Sequence, residues 1–326
     1  MTLTAAPRHS EEIAEHGGSG ISPLDELHEQ FRTSLFDAGH LVPTGIDGVY
    51  GRGAEFEKLV TAVDALVADA IHEVHGGAAT VLAFPPVMPR QILDSTDYIA
   101  SFPHLSGAVA TYSGGDAEHR LLLAGRAAGH DWGGYLRSSE LALVPSACHP
   151  VFPTLTGTLP RDGAWVDVSG YCFRNEPSAD PTRLQTFRMH EIVRVGTERA
   201  AIAHRDSWVA RAADLLTDLG LTVESTPAVD PFFGRGGAAL AADQRADDLK
   251  TELVVRIYGD DQPGVAVASS NYHRDHFGAQ FGITTVDGAV AHSACLGFGI
   301  ERVALALLAT HGLERATWPG AVNAQL

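Results

Sequence analysis

The stretch CFRNEPSADPTRLQTFRMHE, residues 172–191, indicates the fold of this 326-residue chain more clearly than any other segment. It contains the end of one strand-like run, over residues 164–174, and the start of another, over residues 186–195. The polar loop between the two runs contains two prolines, which favour a turn over a continuous strand or helix. The stretch therefore predicts an antiparallel hairpin.

Charged and aromatic side chains can converge on this hairpin. Because side chains alternate between the two faces of a strand, Arg174 shares a face with Glu176, and Phe187 shares one with Glu191. Arg183 lies in the loop above them. A guanidinium can bind a phosphate or a carboxylate through two hydrogen bonds, and a phenylalanine ring offers a flat surface to a base. A structural hairpin with a core phenylalanine and surface ion pairs would contain the same residues, so the hairpin alone leaves the function open.

A second informative segment is CLGFGIER, residues 295–302. It predicts a strand, a glycine turn and the start of a helix over residues 300–309. Gly297 and Gly299 allow a ligand to approach the backbone closely. The helix N-terminus and Arg302 in its first turn both favour negative charge, so this segment predicts contact with an anionic ligand.

The rest of the chain predicts an α+β fold, with an antiparallel sheet flanked by helices. Apolar residues recur every three or four positions over residues 55–74, which is typical of an amphipathic helix, and a strand follows over residues 80–84. Strands in succession with few crossover helices favour antiparallel pairing. The glycine signatures of the common nucleotide-binding loops are absent from the sequence. The other predicted elements are helices near 24–38 and over 203–219, two short strands within 107–123 around a turn at 113–116, and strands over 252–258, 264–269, 280–285 and 289–296.

Composition and charge narrow the class of protein. A net charge of −17 and a pI near 5.3 count against a nucleic-acid partner and against an anionic membrane surface. No stretch is suited to a signal peptide or a transmembrane span, so we expect a cytoplasmic protein. Three cysteines form no disulfide framework and instead serve as core residues, nucleophiles or metal ligands. We predict a disordered arm over residues 1–25 and a single domain over residues 26–326.

Residues 172–191 and 295–302 resemble motifs 2 and 3 of class II aminoacyl-tRNA synthetases. The helix, strand and proline unit at residues 56–86 resembles motif 1 of that class, the usual dimer interface, so the resemblance implies a homodimer. The chain is more similar still to the amino acid:[carrier protein] ligases, stand-alone relatives of the catalytic core of the atypical zinc-dependent seryl-tRNA synthetases. The resemblance covers about residues 50–312, and the stretches that carry it to this subgroup are PSACHP (145–150), DPFFGR (230–235) and SNYHRDHF (270–277).

The resemblance implies an ATP site on the hairpin face. Arg174 would bridge the α-phosphate and the amino-acid carboxylate, and Arg183 would reach ATP from the loop. Phe187 would stack under adenine, while Arg302 would cover the adenine or hold the γ-phosphate. Glu252 is the implied ligand of a magnesium ion.

The resemblance also implies a pocket for the amino acid. Asp230 and Asn271 would line it, and Glu176 would hold the adenine or the amino-acid end. Arg174 and Arg302 join Glu176 as the implied catalytic residues. Seryl-type enzymes often carry a second magnesium-binding carboxylate on the next strand, but residues 265–267 are apolar here.

A zinc site is implied at Cys148, Glu191 and Cys295, the positions that match the zinc ligands of the relatives. Two thiolates and a carboxylate leave one open position on a tetrahedral zinc, where a substrate amine could bind. Such a pocket suits glycine, alanine or serine. The alternative is that both cysteines are small buried hydrophobes. We assign Cys172 to the core, and treat four histidines as structural or outer-shell residues: His149, His190, His273 and His276.

The implied reaction forms an aminoacyl-adenylate and pyrophosphate from the amino acid and ATP. The chain shows no predicted coiled-coil arm of the kind that seryl-tRNA ligases carry, and it is acidic, so we expect the acceptor to be the phosphopantetheine thiol of a carrier protein. A helix over residues 237–250 is a candidate for docking that carrier. A tRNA or a small-molecule amine stays open as the acceptor. A non-catalytic sensor of an amino acid or nucleotide also stays open, although both motif arginines, Arg174 and Arg302, are present.

Overall fold

The structure is a computed structural model of the chain and describes residues 22–234, 242, 244, 247 and 249–326. Residues 1–21 of the predicted arm, and most of the candidate docking helix over residues 237–250, lie outside the described residues. The end of the predicted arm belongs instead to a helix that begins at Pro23. The Ser22 hydroxyl caps this helix, because it accepts a hydrogen bond from the backbone N–H of Asp25 at 3.1 Å.

One sheet, antiparallel except at one edge, forms the centre of the fold. The strands in the described residues are β1 (Leu41–Ile46), β2 (Val49–Arg52), β3 (Ala79–Ala83), β4 (Val87–Pro89), β5 (Ala108–Thr111), β6 (Arg137–Leu143), β7 (Gly157–Thr158), β8 (Ala164–Phe173), β9 (Thr186–Gly196), β10 (Val223–Pro227), β11 (Lys250–Val255), β12 (Val265–Arg274), β13 (Ile283–Thr284) and β14 (His292–Gly299). The central sheet has seven strands in the order β10–β11–β12–β14–β9–β8–β3. Only β3 and β8 run parallel in it. The predicted antiparallel sheet and its β8–β9 hairpin are confirmed, with Ala164 opposite Val195 and Phe173 opposite Thr186.

Helices cover one face of this sheet. The α-helices in the described residues are α1 (Pro23–Asp37), α2 (Ala54–His75), α3 (Arg90–Ser95), α4 (Tyr98–Ser101), α5 (Asp116–Ala127), α6 (Glu198–Asp218), α7 (His276–Phe281), α8 (Ile300–His311) and α9 (Gly320–Asn323). Apolar sides of α2, α6 and α8 pack against the strands in a core that includes Phe56, Trp208 and Phe298. Gly76 ends α2 in the left-handed conformation, with φ 57°. None of the helices in this part of the chain is long and apolar enough to cross a membrane.

A second core lies on the other face of the sheet, around Phe152, Phe277 and Val193. The strands β4, β6 and β5 form a separate three-stranded sheet in that order. Their side chains Met88 and Ala142 join the second core. The central sheet therefore has a helix-covered face and a face on which smaller elements leave room for a cavity.

One predicted strand is wrong, and another is shorter than expected. The second strand expected within residues 107–123 is the helix α5, whose first turn is held by a hydrogen bond from the backbone N–H of Gly115 to the Glu118 carboxylate at 3.0 Å. The strand expected over residues 280–285 is shorter than expected, because Gln280 and Phe281 end the helix α7 and only Ile283–Thr284 is extended. Gly282 separates them in the left-handed conformation, with φ 62°. In both places a capping residue, and not the short apolar run, determines the backbone conformation.

Candidate active site

A cavity of about 890 Å³ opens on the sheet face opposite α2, α6 and α8. A smaller cavity of about 100 Å³ shares Arg174, Asp230 and Arg302 with it. The structure therefore brings together residues that lie far apart in sequence. All the residues predicted for the site line one or both of these cavities: Cys148, Arg174, Glu176, Arg183, Phe187, Glu191, Asp230, Glu252, Asn271, Cys295 and Arg302.

Cys148, Glu191 and Cys295 form a compact buried group. One donor atom from each, a sulfur or a carboxylate oxygen, lies within 4.8 Å of the others. The hydroxyl of Ser146 donates to the Glu191 Oε1 at 3.0 Å, and the backbone N–H of Cys148 donates to the same oxygen at 3.2 Å. These two bonds fix the carboxylate beside the sulfurs. The arrangement has the donor types and the spacing of a metal site.

Gly297 makes room for this carboxylate. A Cβ at that position would lie 3.0 Å from the Glu191 Cγ and 3.3 Å from the Met189 Cε. The sequence predicted that Gly297 allows close approach of a ligand, but its nearest neighbours are the side chains of strand β9.

The surroundings of the two cavity cysteines raise the pKa of both thiols and so disfavour their ionised forms. A hydrogen bond with Cys295 and burial raise the pKa of Cys148 well above its usual value, and the Glu191 carboxylate adds to this shift. Three acidic groups so close together repel one another when ionised, so a divalent cation would stabilise their ionised forms. Cys172 is buried outside this group, as predicted, and burial also raises its pKa.

Two arginines bring positive charge into the cavity. The Nε of Arg174 donates to the backbone carbonyl of Pro145 at 3.2 Å, and its guanidinium lies 5.6 Å from the ring centre of Phe187. The Nε of Arg302 donates to the carbonyl of Thr182 at 2.9 Å. Burial, together with the nearby Arg174 and other cations, lowers the pKa of Arg302 to about 10. An anionic ligand would stabilise both charges.

The guanidinium of Arg174 faces the Phe187 ring, on which the adenine is expected to stack. That Arg302 covers the adenine or holds the γ-phosphate stays a prediction. Arg183 lies beside Glu176, with 3.8 Å between its Nη1 and the carboxylate Oε2. Its side chain is 54% exposed, so it can reach a ligand from the loop.

Lys250 is a cavity residue that the sequence reasoning missed. Its Nζ lies 2.6 Å from the Asp230 Oδ1 and 3.0 Å from the Glu252 Oε1. Gln244 donates to the other Asp230 oxygen at 2.7 Å. Lys250 and Glu252 are two residues apart on one strand, and this spacing alone could have placed the lysine on the same face as the glutamate.

The histidines divide between the two sheet faces. His190 lies on the helix-covered face, where its ring nitrogens are 2.8 Å from Asp64 and 2.7 Å from Asp167. His149 and His273 line the cavity. The His273 Nε2 lies 3.6 Å from the Cys295 sulfur, which makes it a neighbour of the candidate metal group.

A comparison of structures identifies the class. The fold is similar to that of the M. kandleri seryl-tRNA synthetase solved with A. aeolicus tRNASec, with a TM-score of 0.74 and 18% sequence identity. The match covers 90% of this chain and 59% of that one. The chain therefore has the fold of a class II aminoacyl-tRNA synthetase catalytic domain, and it spans less than two thirds of that synthetase.

Comparison of sequences identifies the family. Amino acid–[acyl-carrier-protein] ligase 1 of Bradyrhizobium diazoefficiens is 40% identical over 303 residues, which are 92% of this chain and 89% of that protein. Ligase 2 of the same organism is 41% identical over 303 residues, which are 92% of this chain and 86% of that protein. No model of a known protein family matches the chain. The chain belongs to the family of amino acid–[acyl-carrier-protein] ligases.

Proposed function

We propose that the protein activates a small amino acid, such as glycine or alanine, with ATP and transfers it to the phosphopantetheine thiol of a carrier protein. The observation that carries this proposal is the 40% identity to an amino acid–[acyl-carrier-protein] ligase over 89% of that ligase. A cavity of about 890 Å³ supports it, since such a volume can hold a nucleotide together with a small amino acid.

In the first step, a carboxylate oxygen of the amino acid attacks the α-phosphorus of ATP, and pyrophosphate leaves. Arg174 and Arg302 stabilise the negative charge that develops on the phosphate oxygens. Both guanidiniums are already held by backbone carbonyls, of Pro145 and Thr182, so little reorganisation is needed when the substrates bind. The reaction requires no nucleophilic side chain.

In the second step, the sulfur of the carrier thiol attacks the carbonyl carbon of the aminoacyl-adenylate. The bond between that carbon and the phosphate oxygen breaks, AMP leaves, and the thiol proton is released. The same two arginines bind the departing phosphate, because AMP keeps the α-phosphate in its place.

Cys148, Glu191 and Cys295 would hold a zinc ion. Their donor atoms lie within 4.8 Å of one another, and two sulfurs with one carboxylate oxygen are ligands that zinc prefers. When bound, zinc would supply a Lewis acid to which a substrate amine could coordinate.

Magnesium would bind near Glu252 with the phosphates of ATP. One Glu252 oxygen already contacts Lys250 at 3.0 Å, so magnesium would use the other oxygen or would share the carboxylate with the lysine. The ammonium of Lys250 supplies one fixed positive charge in the same region. We therefore expect this ligase to rely on magnesium carried by ATP more than on a magnesium site built only from protein side chains.

A homodimer is part of the proposal. The strand β3 lies at an edge of the central sheet, where Val81 is 75% exposed, and the adjacent α2 exposes Val74. An exposed apolar edge strand is a liability in a monomer and is suited to pairing with a second copy. Light scattering should give twice the mass of the chain, and Val81→Asp should shift it to the monomer. We also propose that the enzyme acts in the cytoplasm.

The proposed activity is tested by ATP–pyrophosphate exchange with each of the twenty amino acids. Exchange with one small amino acid would establish adenylate formation and identify the substrate. Absence of exchange with all of them, in protein that carries zinc, would contradict the proposal. Labelled amino acid, ATP and a phosphopantetheinylated carrier should then give a thioester, whereas charging of tRNA without any thioester would reject the thiol acceptor.

The zinc site is tested by metal analysis of matched cysteine variants. Cys148→Ala should lose zinc while the protein keeps its circular dichroism spectrum. Cys172→Ala is the control, because this cysteine is also buried but lies outside the candidate metal group. Unchanged zinc content in Cys148→Ala, or equal loss in both variants, would reject the assignment.

A further inference from the structure

Asp180 is a buried carboxylate in the loop between β8 and β9, with a role that the reaction itself leaves unassigned. Only 5% of the residue is exposed. Its Oδ1 accepts hydrogen bonds from the Thr182 backbone N–H at 2.9 Å, the Thr182 hydroxyl at 2.8 Å and the Tyr258 hydroxyl at 2.5 Å. Its Oδ2 lies 3.7 Å from the His28 Nε2. One side chain thus joins the loop to two other parts of the chain.

The three joined segments all border the cavity. His28 belongs to α1, Tyr258 follows β11, and both line the cavity with Asp180 and Thr182. The His28 and Tyr258 rings also meet edge to face, with their centres 4.7 Å apart. Burial and the Asp180 carboxylate raise the pKa of Tyr258, so its hydroxyl keeps the proton that it donates. Helix α1 is therefore attached to the loop at the cavity rim.

The loop in turn fixes Arg302. The carbonyl of Thr182 accepts from the Arg302 Nε at 2.9 Å, while the carbonyl of Ala266 accepts from the Arg302 Nη1 at 3.2 Å. The residue after Thr182 is Arg183, whose backbone N–H donates to the carbonyl of Asp180 at 3.0 Å. A shift of Thr182 would thus move a hydrogen-bond acceptor of one cavity arginine and the backbone of the other.

We infer that Asp180 is a positioning residue for ATP: through Thr182, it holds Arg302 and the Arg183 loop in the arrangement that binds the nucleotide. The inference rests on the proposed function, since it takes both arginines as ATP ligands. Tyr258 and His28 complete the arrangement by fixing Asp180 itself. The segment around α1, outside the part of the chain that resembles synthetase motifs, thereby contributes to nucleotide binding.

The loss of Asp180 has a specific physical effect. In Asp180→Ala, the Thr182 backbone N–H, the Thr182 hydroxyl and the Tyr258 hydroxyl lose a shared acceptor in a buried place, so the loop must rearrange to satisfy them. In Asp180→Asn, the amide oxygen can accept the same bonds. Asp180→Asn should therefore bind ATP nearly as the wild type does. If only the negative charge of Asp180 mattered, Asp180→Asn would lose ATP binding as Asp180→Ala does.

The test is the dissociation constant of ATP, measured by calorimetry on the full chain. We expect Asp180→Ala to weaken ATP binding about tenfold, which corresponds to about 1.4 kcal/mol. Asp180→Asn should stay within about threefold of the wild type, and Tyr258→Phe should weaken binding about threefold, as for the loss of one hydrogen bond. The zinc content should be the same in all variants, because the metal group lies elsewhere in the cavity.

Asp167→Asn is the matched control for a general loss of stability. Asp167 is buried like Asp180 and contacts His190 at 2.7 Å, but on the helix-covered face of the sheet. This variant should unfold at a lower temperature and bind ATP as the wild type does.

Three results would overturn the inference. These are an unchanged ATP dissociation constant in folded Asp180→Ala, a parallel loss of ATP and zinc, and an equal weakening in Asp167→Asn. If Asp180→Ala does not fold, Tyr258→Phe decides, and unchanged ATP binding there would overturn the inference. Wild-type protein that binds ATP but supports no exchange would contradict only the proposed function, whereas wild-type protein that binds no ATP would contradict both.

Discussion

The two faces of strand β9 differ in whether their charged residues have ion-pair partners. On the helix-covered face, Arg188 donates to both oxygens of Glu57 and to Glu301, and His190 lies between two carboxylates. On the cavity face, the carboxylate of Glu191 sits beside two thiols, with a hydroxyl and one backbone N–H as its donors. Within the described residues, Arg188 and His190 thus have carboxylate partners on one face of the strand, whereas Glu191 forms no ion pair on the other.

This difference separates charges that stabilise the fold from charges that serve a ligand. Burying a charge without an opposite charge beside it costs free energy. Such a charge is therefore expected where a ligand or a metal ion supplies the opposite charge. Carboxylates of the protein itself balance the charges of Arg188 and His190. In the proposed function, a bound metal ion would balance the charge of Glu191 on the cavity face. Five substitutions test this separation.

Glu301→Ala should have the largest effect on stability. Glu301 is fully buried, and it accepts bonds from the Arg188 backbone N–H at 2.7 Å and from the Arg188 Nε at 2.8 Å. Removal of one partner of a buried ion pair lowers the free energy of unfolding by about 3–5 kcal/mol. Urea denaturation measures this change, and a loss under about 1 kcal/mol would show that the helix-covered face does not depend on its ion pairs.

Arg174→Ala should have its main effect on the reaction. Loss of one preorganised donor to a developing negative charge reduces the rate about 100–1,000-fold. Pyrophosphate exchange measures the rate, and urea denaturation should show a smaller loss of stability than in Glu301→Ala. A variant that exchanges normally would remove Arg174 from the proposed catalytic residues.

His190→Asn and Glu191→Gln form a pair on adjacent positions of β9. His190→Asn leaves Asp64 and Asp167 without their shared donor, so it should lower the free energy of unfolding by about 1–3 kcal/mol and keep zinc. Glu191→Gln should lose zinc. Metal analysis and denaturation together check both, and zinc loss in His190→Asn would mean that the two faces are not independent.

Glu57→Gln should have the smallest effect. Glu57 contacts the same Arg188 as Glu301, but its side chain is 42% exposed, whereas that of Glu301 is fully buried. Water screens the pair, so the loss should be about 0.2–1 kcal/mol. Equal losses in Glu57→Gln and Glu301→Ala would contradict the assumption that burial determines the strength of these pairs.

The sequence predicted those elements of the fold whose apolar residues recur at a regular spacing. The helix α2, the β8–β9 hairpin and the helix α8 follow from the spacing of apolar residues, and the structure confirms them. The helices α5 and α7 were missed because a short apolar run is compatible with a strand or a helix. Caps at Glu118 and Gly282 decide between the two, and their effect depends on a backbone conformation that spacing does not reveal.

The candidate site was predictable only in part from residue types. Resemblance to a family predicted that Cys148 and Cys295 meet, because the 147-residue separation follows from the order of strands and not from any local pattern. Lys250 was missed although it lies two residues before Glu252 on one strand face. The Asp180 contacts could not be predicted, since they join three segments through the packing of Tyr258 and α1.

Gly297 has a consequence for redesign of the pocket. Because a single added carbon at this position would lie 3.0 Å from the Glu191 Cγ, mutagenesis there would displace a candidate metal ligand before it altered which amino acid fits. A library aimed at new substrates should keep this glycine constant and vary other residues that line the cavity, such as Tyr98 and Phe277. Gly297, one of two glycines on strand β14, would then be the least replaceable residue of that strand in an engineered enzyme.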